Sequence, residues 1–98
     1  MFKLIHTAQA RKDYQKAKAS PLLPKVQKLL AILETAPLQN PPPFEWLTGN
    51  LSGTISRRIN RQHRVVYEIL SNDAGFQAPS GELYKGIVKT IRLWTHYE

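Results

Sequence analysis

At 98 residues, with 42% hydrophobic side chains and no cysteine, the chain has apolar surface for one core and neither a disulfide framework nor a thiolate site. Fourteen Lys and Arg against seven Asp and Glu leave a net charge of +7, the electrostatic footprint of a polyanion binder. No apolar run approaches membrane-spanning length, so residues 1–98 are expected to form a single soluble, intracellular domain with no membrane partner.

"FKLIH" (2–6) alternates and precedes Thr7, a good helix N-cap, which predicts a short strand followed by a helix over 8–18. In "ASPLLPKVQKLLAILETAP", Ser20 can cap and Pro21 suits a first helical position. Leu22, Val26, Leu29, Leu30 and Leu33 then recur at helical spacing, with Lys25 and Lys28 on another flank. Residues 37–53 hold four of the seven prolines and read as a structured loop, because Phe44, Trp46 and Leu47 are costly to leave in water. Both tryptophans are expected to pack. "TISRRI" (54–59) and "HRVVYEIL" (63–70) read as a hairpin joined by "NRQ", and 71–85 is an irregular connection. Residues 86–94, rich in Ile, Val and Thr, read as the last strand. The order β, α, α, loop, β, β, β predicts an α+β fold, with two N-terminal-half helices on one face of a small antiparallel-rich sheet.

Period-two alternation separates His63, Val65, Tyr67 and Ile69 from Arg64, Val66, Glu68 and Leu70. In the last strand it separates Val88, Thr90, Arg92, Trp94 and His96 from Ile87, Lys89, Ile91 and Leu93. The second of these sets is the expected helix-covered core, and the first the expected ligand face. Arg57 and Arg58, adjacent on a strand, must face opposite ways.

RNA can be cleaved without a metal when a base takes the 2′-hydroxyl proton, an acid protonates the leaving 5′-oxygen, and cations hold the phosphorane charge. Glu45, His96 and the cluster Arg57, Arg58, Arg61 and Arg64 are residue types suited to those tasks. No His, Cys or carboxylate cluster has metal-ligand spacing, so neither metal nor cofactor is expected. "FEWLTGNLSGTISRRINRQHRVVYEIL", followed by the terminal "THY", resembles the YoeB/Txe toxins of the RelE superfamily. The matching elements are Glu45 to Leu47, then Asn50 to Tyr67 in the pattern NLxGxxSRRIxxxHRxVY, then His96 to Tyr97.

That resemblance implies a RelE-like microbial RNase fold and a bacterial, cytoplasmic toxin of a type II toxin-antitoxin system. Its implied activity is ribosome-dependent mRNA cleavage in the decoding site. It implies Glu45 as general base, His96 as general acid, Arg64 as stabiliser of the pentavalent phosphate and Tyr97 as a positioning partner. Arg57, Arg58 and Arg61, with Lys12 and Lys16 on the first helix, are expected to meet RNA phosphate. The implied partners are a YefM-like antitoxin, the ribosome and mRNA, operator DNA only through the antitoxin complex, and a second copy of the chain. The competing reading is a scaffold that binds RNA or antitoxin without turnover. Departures from the family pattern are the long 71–85 connection, the extra Glu98, and Gly49 where some relatives carry lysine.

Overall fold

The computed structural model describes residues 1–95. Strand β1 (Lys3–His6) leads into helix α1 (Ala8–Lys18) and helix α2 (Leu23–Thr35). A long loop then carries strand β2 (Glu45–Trp46) and one 3-10 turn (Gly49–Leu51), before β3 (Ile55–Arg58), β4 (Arg64–Leu70) and β5 (Ile87–Thr95). The strands form one mixed sheet in the order β1-β5-β4-β3-β2, antiparallel except where β1 runs parallel to β5. The expected fold class is therefore present, with β2 as an addition that the proline content had hidden.

Local chemistry starts the elements. Thr7 has extended backbone, and its Oγ1 accepts from the Ala10 N–H at 3.1 Å while donating to the Ile91 carbonyl at 3.0 Å. The cap thereby ties α1 to β5 as well as satisfying a free helix donor. Helix α2 begins two residues beyond Pro21. Ser20 instead closes the turn by accepting from the Leu22 N–H at 3.0 Å, and Pro24 takes the first-turn position where its missing N–H is harmless. The hairpin connection is set by Asn60, whose Oδ1 accepts from the N–H groups of Gln62 and His63 at 2.9 and 2.8 Å.

Ala10 and Ala17 of α1 and Val26, Leu29 and Leu33 of α2 cover Ile55, Ile59, Val65, Tyr67, Val88 and Leu93 of the sheet layer. The alternation expected for β4 is observed. In β5 it is not: Tyr67 pairs with Thr90 but Val66 pairs with Arg92, so an extra residue interrupts the ladder, and the register shifts again before Arg64 meets Thr95. The expected core set of Ile87, Lys89, Ile91 and Leu93 is thus corrected in part: Ile87 and Leu93 are buried, while Lys89 and Ile91 are only partly so. Val88 and Thr90 are buried on the helix side; past the irregularity it is Leu93, from the opposite parity, that enters the core.

The same irregularity brings Arg92 and Leu93 to Asp13, a fully buried carboxylate on α1. Arg92 Nε donates to Asp13 Oδ2 at 2.7 Å, the Leu93 N–H donates to the same oxygen at 3.1 Å, and Gln9 donates to Oδ1. Burial pushes the Asp13 pKa up, but Arg92, Gln9 and the Leu93 N–H together outweigh it and leave the group below its ordinary value. A depressed folded-state pKa contributes stability that is present above the unfolded value, near 3.8, and is lost as pH falls through the folded one. Urea unfolding of Asp13→Asn should show lower stability than wild type at pH 7, with the difference shrinking steadily below about pH 4. A difference independent of pH would place the effect in packing rather than in charge.

Candidate active site

The residues that gather around Arg64 come from three strands on the sheet face away from the helices. Glu45 pairs with Ser56, Ser56 with Val66, and Arg58 with Arg64. Opposed residues share a face, so Glu45, Ser56, Arg58 and Arg64 are set on one side by register alone only if the loop holds β2 in place.

Arg57 holds it. This guanidinium is 1% exposed and donates from Nε to the Tyr67 hydroxyl at 3.0 Å, from Nη1 to the Pro42 carbonyl at 2.5 Å, and from Nη2 to the carbonyls of Pro37 and Gln39 at 3.0 and 2.7 Å. Tyr67 in turn donates to Pro37 at 2.6 Å, and the Phe44 ring lies 4.9 Å from the guanidinium carbon. Burial pushes the Tyr67 phenol above its ordinary pKa, against an opposing pull from Arg57, so it stays a neutral donor through the physiological range. A segment rich in proline lacks N–H groups of its own but keeps its carbonyls, and one arginine fork gathers three of them. The expectation that Arg57 meets RNA phosphate is corrected: it is an internal strut for the segment that ends in Glu45.

Arg64 Nη1 donates to Glu45 Oε1 at 2.7 Å and to Ser56 Oγ at 3.1 Å. The arginine side chain is 18% exposed and the glutamate 58%, so the cation is seated in the sheet and the carboxylate stands at the rim. Pro43, Phe44 and Arg58 complete a pocket of about 160 Å³ around these groups. That volume is below the roughly 300–1,000 Å³ of small-molecule sites and suits a phosphate group with its ribose edge better than a whole nucleotide. Two arginines and one carboxylate converge there, an arrangement able to bind an anion, spread charge developing on it and accept a proton.

Of the other expected residues, Arg61, Lys12 and Lys16 are elsewhere. Arg61 is exposed in the hairpin turn and does not line the pocket. Lys12 and Lys16 are exposed on α1, in the layer covering the opposite face of the sheet. His96 and Tyr97 lie outside the described residues; Thr95, which precedes them, is paired with Arg64. His63 stacks on Trp94 with ring centroids 3.7 Å apart, in keeping with a structural role, and Trp94 packs against the core. Trp46 departs from expectation and is 56% exposed, because the two-residue edge strand β2 has no covering layer beyond it. His6 has a partner that sequence did not suggest: its Nδ1 is hydrogen-bonded to Thr90 Oγ1, and burial, with Arg11 nearby, lowers its pKa. Ser56 was also missed, although its place directly before the two arginines on the strand is the signal that puts it beside Arg64. Among the described residues no group of three His, Cys, Asp or Glu side chains is placed to hold a metal ion, and no helix is long and apolar enough to cross a membrane.

Residues 6–77 match the family model of the YoeB-like toxin of bacterial type II toxin-antitoxin systems. Among solved structures, a YoeB/ParE toxin from Agrobacterium tumefaciens is 26% identical with a TM-score of 0.75, covering 98% of this chain and 100% of that one. The YoeB-YefM complex from Staphylococcus aureus contains a chain that is 26% identical with a TM-score of 0.72, covering 99% of each. A chain of the DinJ-YafQ complex from E. coli shares the fold at 17% identity and a TM-score of 0.69, covering 98% of this chain and 94% of that one. No curated protein sequence matches significantly. With the matched span running from the end of β1 past β4, and with near-complete structural overlap, the chain belongs to the YoeB-like toxin family of the RelE superfamily.

Proposed function

We propose that this type II toxin is a ribosome-dependent mRNA endonuclease that cuts the codon exposed in the decoding site and so stops translation. The observation that carries the reading is the Glu45–Arg64 pair at 2.7 Å in a pocket completed by Ser56 and Arg58. An incoming phosphate competes with the carboxylate for Arg64 Nη1. Once displaced, Glu45 accepts the proton of the 2′-hydroxyl as that oxygen bonds to phosphorus. Arg64 and Arg58 hold the non-bridging oxygens as charge builds on them. The bond to the 5′-oxygen then breaks, His96 gives that oxygen its proton, and Tyr97 positions the strand. The products are a 2′,3′-cyclic phosphate and a 5′-hydroxyl. A pocket of about 160 Å³ contributes little to orienting a nucleotide, which is why the ribosome must present the strand already splayed.

The exposed Arg61, Lys12 and Lys16 serve as further RNA contacts, outside the reaction centre. Since the Staphylococcus aureus relatives include a YoeB-YefM heterotetramer and a YoeB dimer, a YefM-like antitoxin and self-association are the partners proposed here, operator DNA being reached only through the antitoxin complex in the bacterial cytoplasm.

Arg64→Lys separates geometry from charge. Lysine keeps the cation but not the planar fork that serves Ser56, Glu45 and phosphate together. Single-turnover cleavage on programmed ribosomes should fall by about 10²–10³, the range for loss of one transition-state donor. Near-normal cutting by this variant would show that charge alone suffices.

A further inference from the structure

Beside the pocket, and sharing Pro43 and Arg58 with it, lies a groove of about 500 Å³ between α2 and the proline segment. Its floor is apolar, made by Leu29, Ile32 and prolines 41–43, while Lys25 and Lys28 project from α2 along one side. No carboxylate lines it among the described residues. Resting on the proposed endonuclease activity, we infer that this groove holds the nucleotides that continue the cleaved strand on one side of the scissile phosphate.

The chemistry of the lining favours single-stranded nucleic acid over a simple anion site. Flat apolar surface accepts bases and riboses, and cations spaced along the rim accept successive phosphates. Lys25 and Lys28 are three residues apart, hence on one helix face with Cβ atoms about 5–6 Å apart. Arg58 is the hinge of the arrangement: it borders the pocket that takes the scissile phosphate and the groove that takes the next ones, so one strand can touch both without a gap. Prolines 41–43 carry no backbone N–H, and the Pro42 and Gln39 carbonyls are taken up by Arg57, which suits contact with ribose and base faces rather than sequence readout.

Fluorescence anisotropy on the full chain tests this with oligonucleotides carrying a 2′-deoxy sugar at the scissile step. A tetranucleotide spans the pocket alone; two decanucleotides extend it by six residues, one toward each end. Wild type should bind one decanucleotide about tenfold more tightly than the tetranucleotide, equivalent to about 1.4 kcal/mol. Lys25→Gln/Lys28→Gln should erase that gain, leave tetranucleotide affinity unchanged as its own check on folding, and lower the salt dependence of decanucleotide binding by about 1.4 in log-log slope, at about 0.7 per phosphate. Retention of the full length-dependent gain by the double variant would overturn the inference. So would a variant that keeps that gain yet no longer binds a glutamate-rich peptide, since the groove would then be a peptide site. Arg64→Ala on the tetranucleotide reports on the active-site reading by itself, which keeps the two failures distinct.

Discussion

Glu45→Gln should lower single-turnover mRNA cleavage on programmed ribosomes by about 10²–10⁴, the span associated with removing a positioned general base. The amide is close in shape to the carboxylate and can still face Arg64, so the loss would report proton transfer and not collapse of the pocket. Two features make the glutamate the most sensitive position. It stands 58% exposed at the rim of the pocket, and among the described residues it is the carboxylate that lines it. Its backbone is fixed by pairing with Ser56, so a base at this position cannot be replaced by a neighbour swinging in. Cleavage within about fivefold of wild type, far short of the loss expected for a general base, would assign proton removal to another group.

The largest expected effect on stability belongs to a residue that never meets substrate. Arg57→Ala removes donors from three carbonyls and a phenol that are drawn inward by one guanidinium. The Pro37 carbonyl keeps its bond from Tyr67, but the part-buried Pro42 and Gln39 carbonyls lose their donor at about 1–3 kcal/mol each and the Phe44 contact is lost with them, so the net cost should reach about 3 kcal/mol. For a domain of this size that corresponds to a fall in Tm of about 4–8 °C per kcal/mol. Arg58→Ala, one residue away and exposed, should stay within about 0.5 kcal/mol of wild type. Paired urea unfolding curves distinguish the two, and equal midpoints would show that the strut is dispensable. Because the strut holds the segment leading to Glu45, Arg57→Ala should also reduce cleavage while leaving every group that touches phosphate in place.

The contrast between these adjacent arginines marks where sequence pattern stops being informative. Alternation says that Arg57 and Arg58 face opposite ways, and they do. It does not say which is buried, because that depends on carbonyls fifteen to twenty residues earlier turning inward to meet one of them. The helices, the hairpin and the order of elements follow from capping residues and apolar spacing, which act locally. No single alternating set in β5 is the core: Val88 and Thr90 are buried before the inserted residue and Leu93, of the other parity, beyond it, and nothing in "IVKTIRLWT" distinguishes an insertion from a continuous strand. Asp13 is the cause that local reading overlooks: a carboxylate on α1 collects Arg92 and the Leu93 N–H from a strand about eighty residues away. The family motif names Glu45 and Arg64 as members of one site, whereas their ion pair, Ser56 and the β2 strand that sets them become visible only through sheet register.

The 71–85 connection is ordered by the side chain of Asn72 and by Lys3 of β1. Asn72 Nδ2 donates to the carbonyls of Phe76 and Tyr84 at 2.9 and 3.0 Å, its Oδ1 accepts from the Phe76 N–H, and Lys3 lies over both aromatic rings. Gly75 and Gly81, both at positive φ, make the turns of this small hairpin. It forms at the end of β4 where Leu70 meets Ile87, the opposite end of that strand from Arg64 and its pocket.

Attack by the 2′-hydroxyl is the central claim, and replacing that one group in the mRNA tests it most directly. A ribosome-bound message carrying 2′-deoxyribose at the cleaved nucleotide should remain intact under wild-type protein, while the matched all-ribose message is cut to a 2′,3′-cyclic phosphate and a 5′-hydroxyl. Cleavage of the deoxy message at the same phosphate and a comparable rate would contradict the mechanism, since the nucleophile would then be water or a protein side chain.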